Sequence, residues 1–163
     1  IIVGVEGVGQ KNRYQNTTLV NMVMANRLLK IPFIAAGGIG DARSFLAAMA
    51  MGAQGVYLGT ATMALEECPW SERGKQLLVE ADSFDPETIE RIFQPPTSER
   101  DDKIKRGERV RAGESGGNAW LGSMAVGMID RVKTARELID EIINGAEEIL
   151  KGDNALANSL RTL

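Results

Sequence analysis

Three short apolar runs, each closing on or near glycine, alternate with stretches in which apolar residues return every third or fourth position. The runs are Ile1–Val5, Ile31–Ala36 and Gly55–Leu58. Their length favours buried strands over helices, and Pro32 stands near the start of the second, where a strand tolerates it. Thr18–Leu29 puts Leu19, Met22, Val23, Asn26 and Leu29 on a mostly apolar helical face, with Asn16 or Thr17 as cap. Ala42–Met51 brings Phe45, Leu46, Met49 and Ala50 round at helical spacing, behind a capping Asp41 and ahead of Gly52, where the helix should stop. The first 60 residues therefore predict the order βαβαβ. A strand, helix and strand packed into about 30 residues make a βαβ unit with parallel strands and a right-handed crossover. The turns that follow the strands then open on the same edge of the sheet.

Beyond Thr60 the pattern turns helical. Ala61–Cys68, ending before Pro69, predicts a short helix, as do Trp70–Val79 and Asp82–Phe93, the last with Pro86 in its first turn and Ile89, Ile92 and Phe93 on one side. Gln94–Arg111 is proline-led and heavily charged, which predicts a solvated surface excursion. Ala112–Gly127 is rich in glycine and small residues. Met124–Leu138 joins an apolar stretch to a helical pattern, a charged helix over Ala135–Leu150 that Glu137–Leu150 continues with Ile139, Ile142, Ile143, Ala146 and Leu150 on a face, and Lys151–Leu163 predicts a polar tail or a frayed helix. Trp120 and Met124 are expected to be packing residues, the alternative being contacts to a bound cofactor.

The candidate chemistry sits in the turns. Gly37-Gly38 and Gly59-Thr60 can each bring bare backbone N–H groups close to an anion, with the start of the next helix adding partial positive charge. The alternative is that these glycines only make tight βα turns. Two such turns in consecutive units suit a phosphate cradle, which barrels place at the loops after strands 7 and 8. The first turn, Glu6-Gly7-Val8-Gly9-Gln10, also permits close approach at a strand end. Glu6 has two readings, a local base or a carboxylate that hydrogen-bonds the loop backbone.

Composition narrows the classes. With 163 residues, 44% hydrophobic and 25% charged, the chain can bury one ordinary core. A net charge of −3 gives no basic footprint, so nucleic acid is not an expected partner. No apolar run approaches the roughly 18 residues of a membrane span, and the first residues lack a signal-peptide pattern, so the expected location is the cytoplasm. The single cysteine, Cys68, has no partner for a disulfide or zinc spacing and is expected to be a structural thiol; no metal is expected. The chain has no histidine, which excludes a Ser-His-Asp or Cys-His apparatus within these residues. It opens without Met on an apolar strand, as a piece of a longer protein or a processed subunit would.

These residues resemble a known family. AAGGI at 35–39, a small-residue helix, GAQGV at 52–56 and LGT at 58–60 are similar to the last two βα units of the nitronate monooxygenases, or 2-nitropropane dioxygenases, a family that includes flavin-dependent enoyl-acyl-carrier-protein reductases. Gly127-Met128-Ile129 and the charged helix after it resemble the family's ending, although Ser123-Met124 stand where a Gly-Gln pair is usual. The resemblance implies the later part of a (β/α)8 TIM barrel, about three βα units plus C-terminal helices. On that reading residues 1–68 hold the last βα units of a flavin-binding barrel, 69–111 a helical insertion with a charged loop, and 112–163 the segment and helices that close it.

It also implies FMN, with its phosphate at Gly37, Gly38, Gly59 and Thr60 and with Gly7 and Gly9 lining the isoalloxazine side. NAD(P)H is a candidate electron donor and a small molecule or acyl thioester the substrate. In the family the turn after the first of these strands carries a histidine taken as the catalytic base or proton donor; here Gln10 occupies that place, and glutamine cannot exchange a proton near neutral pH. Three parallel strands cannot close a barrel, so the remaining strands are expected from upstream sequence, a partner chain or a second copy of this chain. Two other readings stay open: a barrel that binds a phosphorylated ligand without flavin, and a catalytically inactive subunit or scaffold.

Overall fold

The computed structural model describes residues 1–7, 15–93 and 122–152; the charged excursion at 94–111, Gly9, Gln10, Trp120 and the tail after Gly152 lie outside the described residues. In chain order the elements are β1 (Ile2–Val3), α1 (Thr18–Leu28), β2 (Ala35–Ala36), α2 (Ala42–Ala50), β3 (Val56–Tyr57), α3 (Thr60–Met63), α4 (Glu72–Val79), α5 (Pro86–Phe93), a 3₁₀ turn (Met124–Met128) and α6 (Ala135–Lys151). The strands form one parallel sheet in the order β1-β2-β3, with Ile2, Ala35 and Val56 in one cross-strand row and Val3, Ala36 and Tyr57 in the next.

Successive residues of a strand face opposite ways, so these rows belong to opposite faces of the sheet. The first row packs outward on the helices, in a core of Met22, Ala25, Phe33, Ala35, Ile39, Ala48 and Ala53. Regular pairing is shorter than the apolar runs predict. Ile31 and Pro32 stay exposed, because β1 reaches back no further than Ile2, whose N–H donates to Ile34, and Pro32 has no N–H of its own to give.

Local chemistry fixes most helix ends. Thr17 caps α1 through Val20 N, and Asp41 and Ser44 form a reciprocal capping box on α2. Ser71 caps α4, which begins at Glu72 rather than Trp70; Asp85 accepts from Thr88 N, so α5 begins at Pro86 rather than Asp82. Buried stripes differ from the predicted ones. On α1 the buried residues are Thr18, Met22 and Ala25, whereas Leu19 is exposed and Val23 and Leu29 are only partly covered. The cause is at Gly4, where a Cβ would come within 1.9 Å of Thr18 N. The helix start is pressed onto the end of β1, and Thr18 rather than Leu19 sets the face that meets the sheet.

The helix predicted over Ala61–Cys68 stops at Met63. Leu65 leaves it to make a parallel bridge with Lys133, and Glu66 N donates to Lys133 O at 3.0 Å. Lys75 Nζ, from α4, donates to Glu66 O at 3.0 Å, so the backbone here is held by partners a helix would exclude. Cys68 is a free, half-buried thiol against the cluster of Ala61, Leu65, Leu138 and Ile142. Met124 packs against Ala64, Leu78, Ile92 and Val126, as expected of a core residue.

α6 begins at Ala135, where the charged helix is expected, because Thr134 and Glu137 form a capping box and the Glu67 carboxylate accepts from Ala135 N at 3.0 Å. Its buried side is Leu138, Ile142 and Ala146; Ile139, Ile143 and Leu150 are exposed. It lies along α2, with Gly145 so close to Ala42 that a Cβ there would come within 2.8 Å of it.

Candidate functional site

The turns that follow β1, β2 and β3 meet at one cleft of about 230 Å3, lined by Val3, Gly7, Ala36, Gly37, Gly38, Ile39, Tyr57, Gly59, Thr60 and Ser123, with Ile1 at its margin. Five of the predicted site residues, Gly7, Gly37, Gly38, Gly59 and Thr60, line it together; Gly9 and Gln10 lie outside the described residues. The sheet row Val3, Ala36 and Tyr57 forms its floor.

Gly37 and Gly38 have φ of +87° and +71°, a conformation that side chains disfavour, and they present backbone alone to the cleft. A Cβ on Gly37 would come within 2.9 Å of Gly7 N, so the first two turns are in contact. At Gly59 a Cβ would meet nothing within 4 Å. Main chain at the second and third turns is therefore open to a ligand without an intervening side chain, a surface suited to phosphate. The start of α2 is different. Ser44 N is already taken by Asp41 Oδ1 at 2.8 Å, so a protein carboxylate holds the anion position that the sequence offered to a phosphate.

Thr60 is 3% exposed, and its hydroxyl is committed to Ser123: Ser123 N donates to Oγ1 at 2.9 Å and the two hydroxyls lie 2.8 Å apart. Ser123 Oγ also accepts from Ala125 N, and Met124 N donates to Glu6 O at 3.1 Å. The 3₁₀ turn is thus pinned to the first and third strand ends and walls the cleft.

Glu6 bonds the start of α1 rather than the backbone of its own loop. Its Oε2 accepts from Thr18 N at 2.7 Å and from Thr18 Oγ1 at 2.9 Å, at the positive end of α1. Thr18 Oγ1 also accepts from Gly4 N at 3.2 Å and lies 3.0 Å from Gly37 O. This buried Thr ties the first turn to the second, a role with no sequence signal beyond its place at a helix start. Tyr57 and Ser123 were likewise not singled out from sequence. The alternation of side chains along a strand would have put Tyr57 on the same face as Val3; the contact between Ser123 and Thr60 spans 63 residues and left no local trace.

An ionic cluster sits apart from the cleft. Lys133 is buried, with Nζ 2.7 Å from Asp130 Oδ1 and 2.6 Å from Glu141 Oε2, and Arg131 donates to Glu141 and Asp130. Burial works against the Lys133 charge, but hydrogen bonds to Asp130 and Glu141 outweigh it and hold the ammonium above its ordinary value. The Lys133 hydrogen bond holds the carboxyls of Asp130 and Glu141 below theirs. Among the described residues no group of His, Cys, Asp and Glu could hold a metal ion, and no helix is long and apolar enough to cross a membrane.

Known proteins share this sequence pattern and this fold. A probable nitronate monooxygenase of Staphylococcus saprophyticus is 28% identical over 144 residues, a match covering 75% of this chain and 41% of the relative. FabK from Thermotoga maritima superposes with a TM-score of 0.73 at 27% identity, over 91% of this chain and 54% of FabK. Nitroalkane oxidase from Streptomyces ansochromogenes gives 0.68 at 21% identity, over 90% of this chain and 50% of that one, which speaks for the fold alone. The chain thus spans about half the length of the proteins it matches, and its parallel strands and helices are the later part of a (β/α)8 barrel. The sequence model of the nitronate monooxygenases matches residues 1–97 of the 163, and the chain belongs to that family of oxidoreductases.

Proposed function

We propose that this chain supplies the phosphate-binding side of an FMN site in an oxidoreductase of the nitronate monooxygenase or enoyl reductase type, taking electrons from NAD(P)H or from its own substrate. The observation that carries this reading is the meeting of Gly37, Gly38, Gly59 and Thr60 on one cleft with an apolar floor. FMN, when bound, supplies two-electron chemistry at its N5 that no side chain provides. Everything else falls to the residues of the chain. The bare main chain of the second and third turns grips the phosphate, while Thr60, its hydroxyl fixed by Ser123, contributes backbone rather than side chain. Val3, Ala36 and Ile39 give the floor an apolar surface for the ring system.

Ligand pockets usually enclose about 300–1,000 Å3, more than the about 230 Å3 here. The cleft therefore provides one wall of the site, and the rest comes from outside the described residues. Gln10 belongs to that remainder. It orients a substrate oxygen or a flavin edge by hydrogen bonding and leaves proton transfer to another group. The substrate, a small molecule or an acyl thioester, is set by barrel loops outside this cleft.

The test is FMN titration of the full-length protein, read by the visible spectrum. Gly59 and Gly55 both have open space where a Cβ would go, but only Gly59 lines the cleft. Gly59→Ala should leave the melting temperature within a degree or two and weaken FMN about tenfold or more, while Gly55→Ala changes neither. A colourless protein that takes up no added FMN, or one that binds a phosphorylated metabolite in its place, removes the flavin assignment.

A further inference from the structure

Tyr57 stands out in the cleft. It is the only lining residue, among those described, whose side chain carries an ionisable proton, and the two other hydroxyls there, on Thr60 and Ser123, are spent on each other. It stands on a sheet face whose other members, Val3 and Ala36, are apolar. The chain contains no histidine that could bring a proton-carrying group to the same place.

A phenol joins an apolar body to a polar tip, and once such a ring is covered its hydroxyl needs a partner. No side chain of the floor offers one: Val3, Ala36 and Ile39 are hydrocarbon, and Gly37, Gly38 and Gly59 have no side chain. Tyr57 also precedes the third turn by only two residues and lines the same cleft as the backbone proposed to grip a phosphate. A ligand that covers the floor while its phosphate lies at the turns covers Tyr57 as well.

We propose that Tyr57 is a ligand-contacting residue, whose ring covers one side of the bound group and whose hydroxyl hydrogen-bonds a polar atom of its ring system. The proposal rests on the FMN reading above and assigns it a recognition group for the ring, where the glycine turns recognise only the phosphate.

FMN and riboflavin are titrated into the full-length wild-type protein and into Tyr57→Phe and Tyr57→Ala, with affinity and the visible spectrum of the bound flavin read together and circular dichroism confirming that each variant folds. Tyr57→Phe, which keeps the ring, should weaken both ligands about three- to tenfold and shift the flavin spectrum; Tyr57→Ala should weaken them further. Because riboflavin lacks the phosphate, its loss in Tyr57→Phe isolates the ring end of the cleft. If wild type binds FMN and Tyr57→Phe matches it in affinity and spectrum for both flavins, the hydroxyl has a protein partner and the inference is overturned while the FMN reading stands. If wild type binds neither flavin, both fall together. Should Tyr57→Phe fail to fold, nitration of Tyr57 in the wild type decides: protection by riboflavin supports the contact, and equal modification with and without flavin overturns it.

Discussion

At the residue scale the cleft depends on side chains that never face a ligand. Thr18 is the clearest. Its hydroxyl takes the Gly4 N–H, gives its own hydrogen toward Glu6 Oε2 and the Gly37 carbonyl, and is itself buried, so it connects the end of β1, the start of α1 and the second turn. Thr18→Val keeps the shape but leaves Gly4 N without this acceptor and Glu6 with one contact fewer. A buried polar group stripped of its partner costs about 1–3 kcal/mol, and the variant should lose that much in urea unfolding. The second turn, proposed to hold a phosphate, should also loosen, with FMN affinity falling more than stability alone explains. Thr18→Ser, which restores the hydroxyl, should recover most of both. A Thr18→Val protein as stable and as tightly binding as wild type would mean that Glu6 and the backbone hold the turn unaided.

At the element scale, what the sequence made legible was the alternation of strands and helices and the polar residues that begin helices. Asp41 and Thr17 cap where their place before an apolar pattern says they should, because capping is a local contact within three residues. The faces of the helices were not legible, since a chain rich in Leu, Val, Ile and Ala offers more than one apolar stripe and packing selects among them. On α6, Leu138 is chosen and Ile139 left out, through contact with α2 and the segment around Leu65, neither of which is near in sequence. The glycine turns were legible as turns; their convergence depends on the parallel register of β2 and β3.

The junction into α6 carries a pH signature. Asp130 and Glu141 titrate below their ordinary 3.8 and 4.5, so the stability they contribute is present above those values and is lost as pH falls through the lowered ones. Lys133 titrates above 10.5, so its contribution is complete below that and disappears as pH rises through the raised value. Stability should be flat near neutrality and fall at both extremes. Glu141 is partly exposed, so Glu141→Gln should cost only about 1 kcal/mol near pH 7, and it should also flatten the acid limb. A variant whose stability follows pH as wild type does would place the acid transition elsewhere.

At the scale of the whole molecule, the sheet has an open side at each end. Among the described residues β1 pairs only with β2 on one side, and β3 pairs only with β2 on the other. Around these edges Ile1, Val3, Ile34 and Tyr57 are exposed on the sheet, and Leu19, Val20, Leu28 and Ile31 on and beside α1. An unpaired strand edge templates further strands, and apolar patches of more than a few hundred Å2 mark surfaces that are covered in the working assembly. A closed barrel uses both edges and fills its interior with the side chains of all eight strands, whereas this sheet has three. The 163 residues prepared alone should therefore associate as concentration rises, seen as growing mass in light scattering and as binding of an apolar dye. If further barrel strands, on the same chain or on a second one, complete the sheet, supplying them should abolish both signals and raise FMN affinity, because such strands would add walls to the cleft. A monodisperse monomer that binds no dye at any concentration would show that these edges are satisfied within the chain, by residues outside those described, and the cleft would then be complete without a partner.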